Sequence, residues 1–151
     1  MTTRRDFVAG AAAVAVGTLG APLVARAQAA PIKIGVLHPV TGFVAQSGGL
    51  CRLGATMAID DANSAGGIKS MGGAKLEAVL GDAQSKPDIG AAEVEKMNEA
   101  GVSAIIGAYA SAICLATTQA AAKHGIPHMV DIGVADTIVT RGLSNTFRFG
   151  P

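Results

Sequence analysis

Apolar positions along this chain follow two different periods after residue 30. "IKIGVL" (32–37) is a short apolar run between a proline and a polar loop, and it predicts a buried strand. The loop "HPVTGFVAQSGG" comes next. Leu50, Leu53, Met57 and Ala58 then recur at helical spacing, which predicts a helix with those residues on its apolar face, stopped by "NSAGGI" at Gly66. "KLEAVLGD" (75–82) alternates and predicts a second strand. "SKPD" (85–88) has the form of a capping box, with proline in the first turn and Asp88 at the positive end of a helix that lines up Ala91, Val94 and Met97. "VSAIIGA" (102–108) predicts a third strand, and Ser111 to His124 a third helix closed by Gly125. "IPHMVDIG" (126–133) and "NTFRFG" (145–150) predict strands four and five.

Strands that alternate with helices imply βαβ units and a parallel sheet. The expected fold is therefore α/β: an open doubly wound parallel sheet in strand order 2-1-3-4-5, with right-handed crossovers and helices on both faces. Ligands in such folds bind beyond the carboxyl ends of the strands, where the strand order reverses. That places a site among the loops 38–49, 107–111 and 131–137. The same topology puts the first and third helices on opposite faces, so Cys51 and Cys114 are expected not to form a disulfide.

The corner between strand three and helix three, "AIIGAYASAICLA" (104–116), carries the most suggestive chemistry. Gly107 permits close backbone approach. The first N–H groups of the helix lack intrahelical acceptors and favour an anion. The Ser111 hydroxyl adds another donor beside the backbone of Ala110. Tyr109, the only tyrosine, can offer a ring edge or its hydroxyl, and Phe43 and Gln46 can form the wall across the switch point. Together these groups suit a carboxylate. A Ser111 that merely caps its own helix would have the same spacing, so the residues alone leave both readings open.

Composition narrows the classes. The chain has 151 residues, half of them apolar and 15% charged, with a formal charge of +1. That excludes a disordered or nucleic-acid-coating chain. The first residues read differently from the rest. "TTRRDFVAG" precedes an uncharged run from Phe7 to Val24, followed by "ARAQAA". A charged start, an apolar middle and an A-x-A ending predict an export signal over residues 1–27. "TRRDFV" has the twin-arginine pattern, with a general secretory signal as the alternative. Cleavage after Ala27 leaves nine basic and ten acidic residues in a lobe spanning 28–151.

Five stretches in order carry a family likeness: "IKIGVLHPVTG", "GATMAIDDANSAGGI", "LEAVLGDAQSKPDIGAAEVEKM", "GVSAIIGAYASAICLATTQAAAKHGIPHM" and "NTFRFGP". Residues 31–151 resemble the N-terminal part of the type I periplasmic solute-binding proteins of ABC importers, in the branched-chain amino acid (leucine/isoleucine/valine-binding) family. The resemblance implies a periplasmic receptor, not an enzyme and without a cofactor. It would take a small solute, an amino acid or an aromatic or other organic acid, to an ABC permease in the inner membrane. It assigns the ligand carboxylate to Ser111. By position it matches Gly133 and Ala135 to residues that contact the ligand, although the family's usual Ala-x-Thr reads Gly133-Val134-Ala135 here. It also implies that 28–151 is an incomplete first lobe, because the family's chain continues into a second one.

Other chemistries lack their signatures. No G-x-G-x-x-G or Walker lysine follows the first strand, and neither Ser47 nor Ser111 sits in a G-x-S-x-G elbow. His124 and His128 are four apart, but Gly125 and Pro127 interrupt the helix that would align them as metal ligands, so no metal is expected there. A secreted hydrolase would use Ser111 as nucleophile and His38 as base, with no evident acid to orient the histidine. A ligand-sensing module of the same fold is a further alternative. Asp82, at the end of strand two, could orient loops at the crevice, but reads first as a solvated acid.

Overall fold

A computed structural model describes residues 29–150. The export signal expected over 1–27 lies outside the described residues. Five parallel strands form one sheet in the order β2-β1-β3-β4-β5. They are β1 (Ile32–His38), β2 (Leu76–Asp82), β3 (Ala104–Gly107), β4 (His128–Val130) and β5 (Thr146–Arg148). Helices α1 (Ala45–Ser64), α2 (Pro87–Glu99) and α3 (Ser111–Lys123) make the crossovers. The open doubly wound sheet expected from the sequence is the one observed. α2 and α3 pack on each other over one face, while α1 lies on the other, against β1 and β2. Cys51 on α1 and Cys114 on α3 are both free thiols.

The main core sits beneath α2 and α3. Leu37, Ile105 and Val130 from the sheet meet Val94 and Met97 of α2 and Ile113 of α3. Val94 and Met97 thus face the core as their spacing predicts, with Ala91 packed at its margin.

The face expected of α1 is wrong. Leu50 is 66% exposed, and Leu53 and Met57 are more than half exposed. The buried positions are Gly48 and Ile59, with Cys51 and Ala55 half-buried between them. The helix lies too close to the chain for bulky residues at its start. A Cβ on Gly48 would stand 2.1 Å from the Pro39 carbonyl oxygen. The stripe facing the sheet is therefore small at its start, Gly48, Cys51 and Ala55, and ends in Ile59, while Leu50, Leu53 and Met57 point away. Beside α1 the sheet carries an apolar groove lined by Ile34, Ile59, Ile106 and Met129.

"SKPD" also departs from expectation. The residue preceding α2 is Lys86, and no side chain caps the helix. Ser85 has φ +57 and turns its hydroxyl to the loop after β1, donating to Thr41 O at 2.8 Å and accepting from Val44 N at 3.2 Å. Strands β4 and β5 hold only three residues each. Beyond Val130 the chain leaves the sheet to meet the start of α3.

β3 ends against β1 in register Leu37↔Gly107. Gly107 has φ +142, and a Cβ there would stand 1.8 Å from the Leu37 carbonyl oxygen. Only glycine fits. We expect Gly107→Ala to cost about 2–4 kcal/mol in denaturant unfolding, because strain at positive φ adds to a backbone clash in a paired ladder. A loss below about 0.5 kcal/mol would show that the contact relaxes freely.

Candidate functional site

Three loops meet beyond the carboxyl ends of β1, β3 and β4, each held by its own anchor. Asp82 fixes the first. Its Oδ1 accepts from Val40 N at 3.0 Å, Thr41 N at 3.3 Å and Gln84 N at 2.8 Å, and its Oδ2 accepts from the Thr41 hydroxyl at 2.7 Å. Burial alone would raise this carboxyl, but those hydrogen bonds outweigh it and hold it below the usual range. Asp82 is thus the organiser of the 38–44 loop rather than a solvated strand end.

The second anchor is Ser111. It is the first residue of α3, not its cap: Ala110 takes the cap position and no side chain caps the helix. Ser111 Oγ accepts from Val134 N at 3.1 Å and from Ala135 N at 3.2 Å. These two bonds use its acceptor capacity and leave its O–H free to donate. The N–H groups of Ser111, Ala112 and Ile113 have no intrahelical acceptor, and among the described residues no loop carbonyl takes them up. One hydroxyl proton and a row of amide donors therefore lie together at the positive end of α3.

Arg148 of β5 holds the same loop from its other side. It donates to Val134 O at 2.9 Å and approaches Asp136 Oδ1 at 3.4 Å. Its position within "NTFRFG" offered no hint of this contact.

The expected site residues separate into two groups. Tyr109, Ala110 and Ser111 are contiguous and half-buried at the corner, and Ala135 is joined to Ser111 directly. Tyr109 has φ +71, a left-handed conformation uncommon for a tyrosine. Gly133 is buried and turned to the core, where a Cβ would meet Cys114 Sγ at 2.8 Å. Phe43 is 85% exposed and Gln46 is exposed too. Gln46 lies in the first turn of α1 and Phe43 in the loop just before it. Gly107 serves the sheet: its close approach is to Leu37 rather than to the crevice.

Sequence reasoning named His38 but missed Asp131 and the contact between the two. His38 closes β1 one residue beyond the β1–β3 ladder, and Asp131 follows β4. Their side chains meet across the end of β3, His38 Nε2 to Asp131 Oδ2 at 2.7 Å. His38 is fully buried, while Asp131 keeps 19% of its side chain exposed. Burial would raise Asp131, but the His38 bond and charge and the Tyr109 N–H hold its carboxyl below the usual range. Ninety-three residues separate the partners, and no local pattern marks either. The acid that His38 lacked is thus present, yet Ser111 Oγ bonds Val134 and Ala135 rather than His38, which leaves the hydrolase reading without its nucleophile–base contact.

The neighbouring thiols are not activated. Burial pushes the Cys114 thiol up to about 11, against an N–H bond from Ala108. Cys51 is also raised, by burial and then by the charge of Asp131.

The fold and this crevice define a class of protein. The chain belongs to the periplasmic binding protein family, whose profile matches residues 31–151. It is 36% identical over 125 residues to Leu/Ile/Val-binding protein homolog 8 of Brucella abortus (strain 2308), covering 83% of this chain and 30% of that protein. It is also 36% identical over 117 residues to the leucine-, isoleucine-, valine-, threonine-, and alanine-binding protein of Pseudomonas aeruginosa, covering 78% and 31%. Among solved structures it resembles the branched-chain amino acid transporter substrate binding protein LivJ of Streptococcus pneumoniae in complex with isoleucine. That likeness has TM-score 0.73 at 30% identity and covers 78% of this chain and 33% of that one. The chain spans about a third of the length of these relatives.

His128, on β4 below the crevice, generates a pH prediction. It is fully buried, and both ring nitrogens lack partners. Burial lowers it to about 4, with Asp131 opposing and His38 assisting. An unfolded histidine protonates near 6.5. Its stabilising effect is therefore complete above about pH 6.5 and is lost as pH falls towards 4, on the order of 3 kcal/mol in all. Urea unfolding from pH 7 to pH 4.5 should show this decline, and His128→Leu should flatten it. An equal slope in the variant would assign the loss to other groups.

Proposed function

We propose that this chain forms the first lobe, incomplete over 28–151, of a solute receptor for an ABC importer. It captures a small carboxylate-bearing solute, a branched-chain or related amino acid, in the periplasm and delivers it to the inner-membrane permease. The chain acts by binding and not by catalysis. A twin-arginine export signal over residues 1–27 fits the same reading.

One observation carries it: the free donors at the start of α3, with the Ser111 hydroxyl locked against Val134 and Ala135. A helix N-terminus attracts an anion by about 0.3–1 kcal/mol when exposed and up to about 2 when partly buried. Each charge-assisted hydrogen bond adds about 1.5–3. The names of the relatives, with leucine, isoleucine and valine among their ligands, support an amino acid as the solute. Ala135 in place of the family's threonine removes one hydroxyl from the half-site, which favours a solute whose affinity comes more from its side chain.

The test is a titration of the chain with branched-chain amino acids and aromatic acids, followed by NMR of backbone amides. The true ligand should shift the amides of 110–113 and 134–135. Ser111→Ala should weaken it about ten- to a hundredfold, one charged hydrogen bond, and Ser111→Thr, which keeps a hydroxyl, should restore most of that loss. Shifts confined to other surfaces, or an unchanged affinity in Ser111→Ala, would remove the half-site from this corner.

A further inference from the structure

We propose that His38, Cys51 and Asp131 form a binding site for a transition-metal cation of the zinc type at the floor of the crevice. This goes beyond solute capture and does not depend on it. A ring nitrogen of His38, Cys51 Sγ and a carboxylate oxygen of Asp131 lie within 4.8 Å of one another. They come from three separate elements: the end of β1, the body of α1 and the loop after β4. His38 and Asp131 are already joined at 2.7 Å.

The residue types fit the ion. Imidazole, thiolate and carboxylate together suit zinc, and calcium or magnesium would take oxygen ligands instead. Bonds of about 2.0–2.3 Å to a tetrahedral ion set ligand atoms about 3.3–3.8 Å apart. For that geometry His38 and Asp131, now 2.7 Å apart, part slightly, and Cys51 closes on them from within 4.8 Å. Three protein ligands leave a fourth position. His38 is fully buried while Asp131 and Cys51 keep some exposure, so that position faces the solvent side.

A bound cation would draw on the Asp131 carboxylate and the Cys51 sulfur at once, which lie within 4.8 Å of each other. On binding, the Cys51 thiol passes its proton to solvent, the S–H bond is replaced by a sulfur–metal bond, and no oxidation state changes. Among the described residues the His38 ring has no other side-chain partner, and its Nδ1 is buried without one.

The test uses chelator-treated, reduced chain with no amino acid present, so its failure leaves the solute-binding reading untouched. Cobalt(II) serves as the spectroscopic probe. We expect one equivalent to bind, with a thiolate-to-cobalt charge-transfer band and the visible bands of a tetrahedral ion, both displaced by zinc. Cys51→Ser should abolish the charge-transfer band, and Cys114→Ser should retain it. Asp131→Asn should lower zinc affinity by at least about tenfold, the low end of what changes around metal ligands cost. In the unaltered chain, zinc should slow alkylation of Cys51 at least tenfold by mass spectrometry, which needs no variant to fold. Absence of a thiolate band in the unaltered chain, its survival in Cys51→Ser, or unprotected alkylation of Cys51 would each overturn the proposal.

Discussion

β3 stops where Gly107 meets the Leu37 carbonyl, in a contact too close for any side chain. Much of the crevice follows from that contact. Because β3 ends there while β1 runs one residue further, His38 stays paired with Asp82 of β2 but has no partner in β3, and its ring reaches Asp131. Because the chain turns immediately after Gly107, α3 begins four residues later with its amino end over the strand ends. The first-turn amides of that helix then have nowhere to bond except into the crevice.

The three loops are held by polar bonds as well as by apolar packing, with Ala108 in the core and Ala135 against it. Asp82 gathers the loop after β1, Ser111 and Arg148 hold the loop after β4 from two sides, and Asp131 ties the start of that loop to the end of β1. Each anchor is a side chain accepting or donating across strands distant in sequence. Such bonds fix position while leaving the loop surface free to meet a ligand, which suits a binding site that must be formed before its ligand arrives.

Much of this was legible in the sequence. Strand order and crossover faces follow from alternating periods and the handedness of βαβ units, and the switch point then follows from topology. Ser111 could be picked because a serine starting a helix after a glycine-ended strand is visible in one dimension. The contacts across the sheet were not. His38 and Asp131, or Arg148 and Val134, are far apart along the chain and carry no spacing rule. The face of α1 was misread for a related reason. Periodicity weighs large apolar residues, whereas the close approach at Gly48 selects small ones. "SKPD" misled because a serine two residues before a helix can bond a neighbouring loop as readily as its own backbone.

The central claim is that the amino end of α3 receives a carboxylate through the Ser111 hydroxyl. A crystal structure of the chain grown with saturating L-leucine tests it most directly. The account predicts the leucine carboxylate within hydrogen-bond distance of Ser111 Oγ and of the first α3 amides, with the Val134 and Ala135 N–H bonds to Ser111 intact. Leucine bound elsewhere, or bound here with its carboxylate turned away from Ser111, would contradict it.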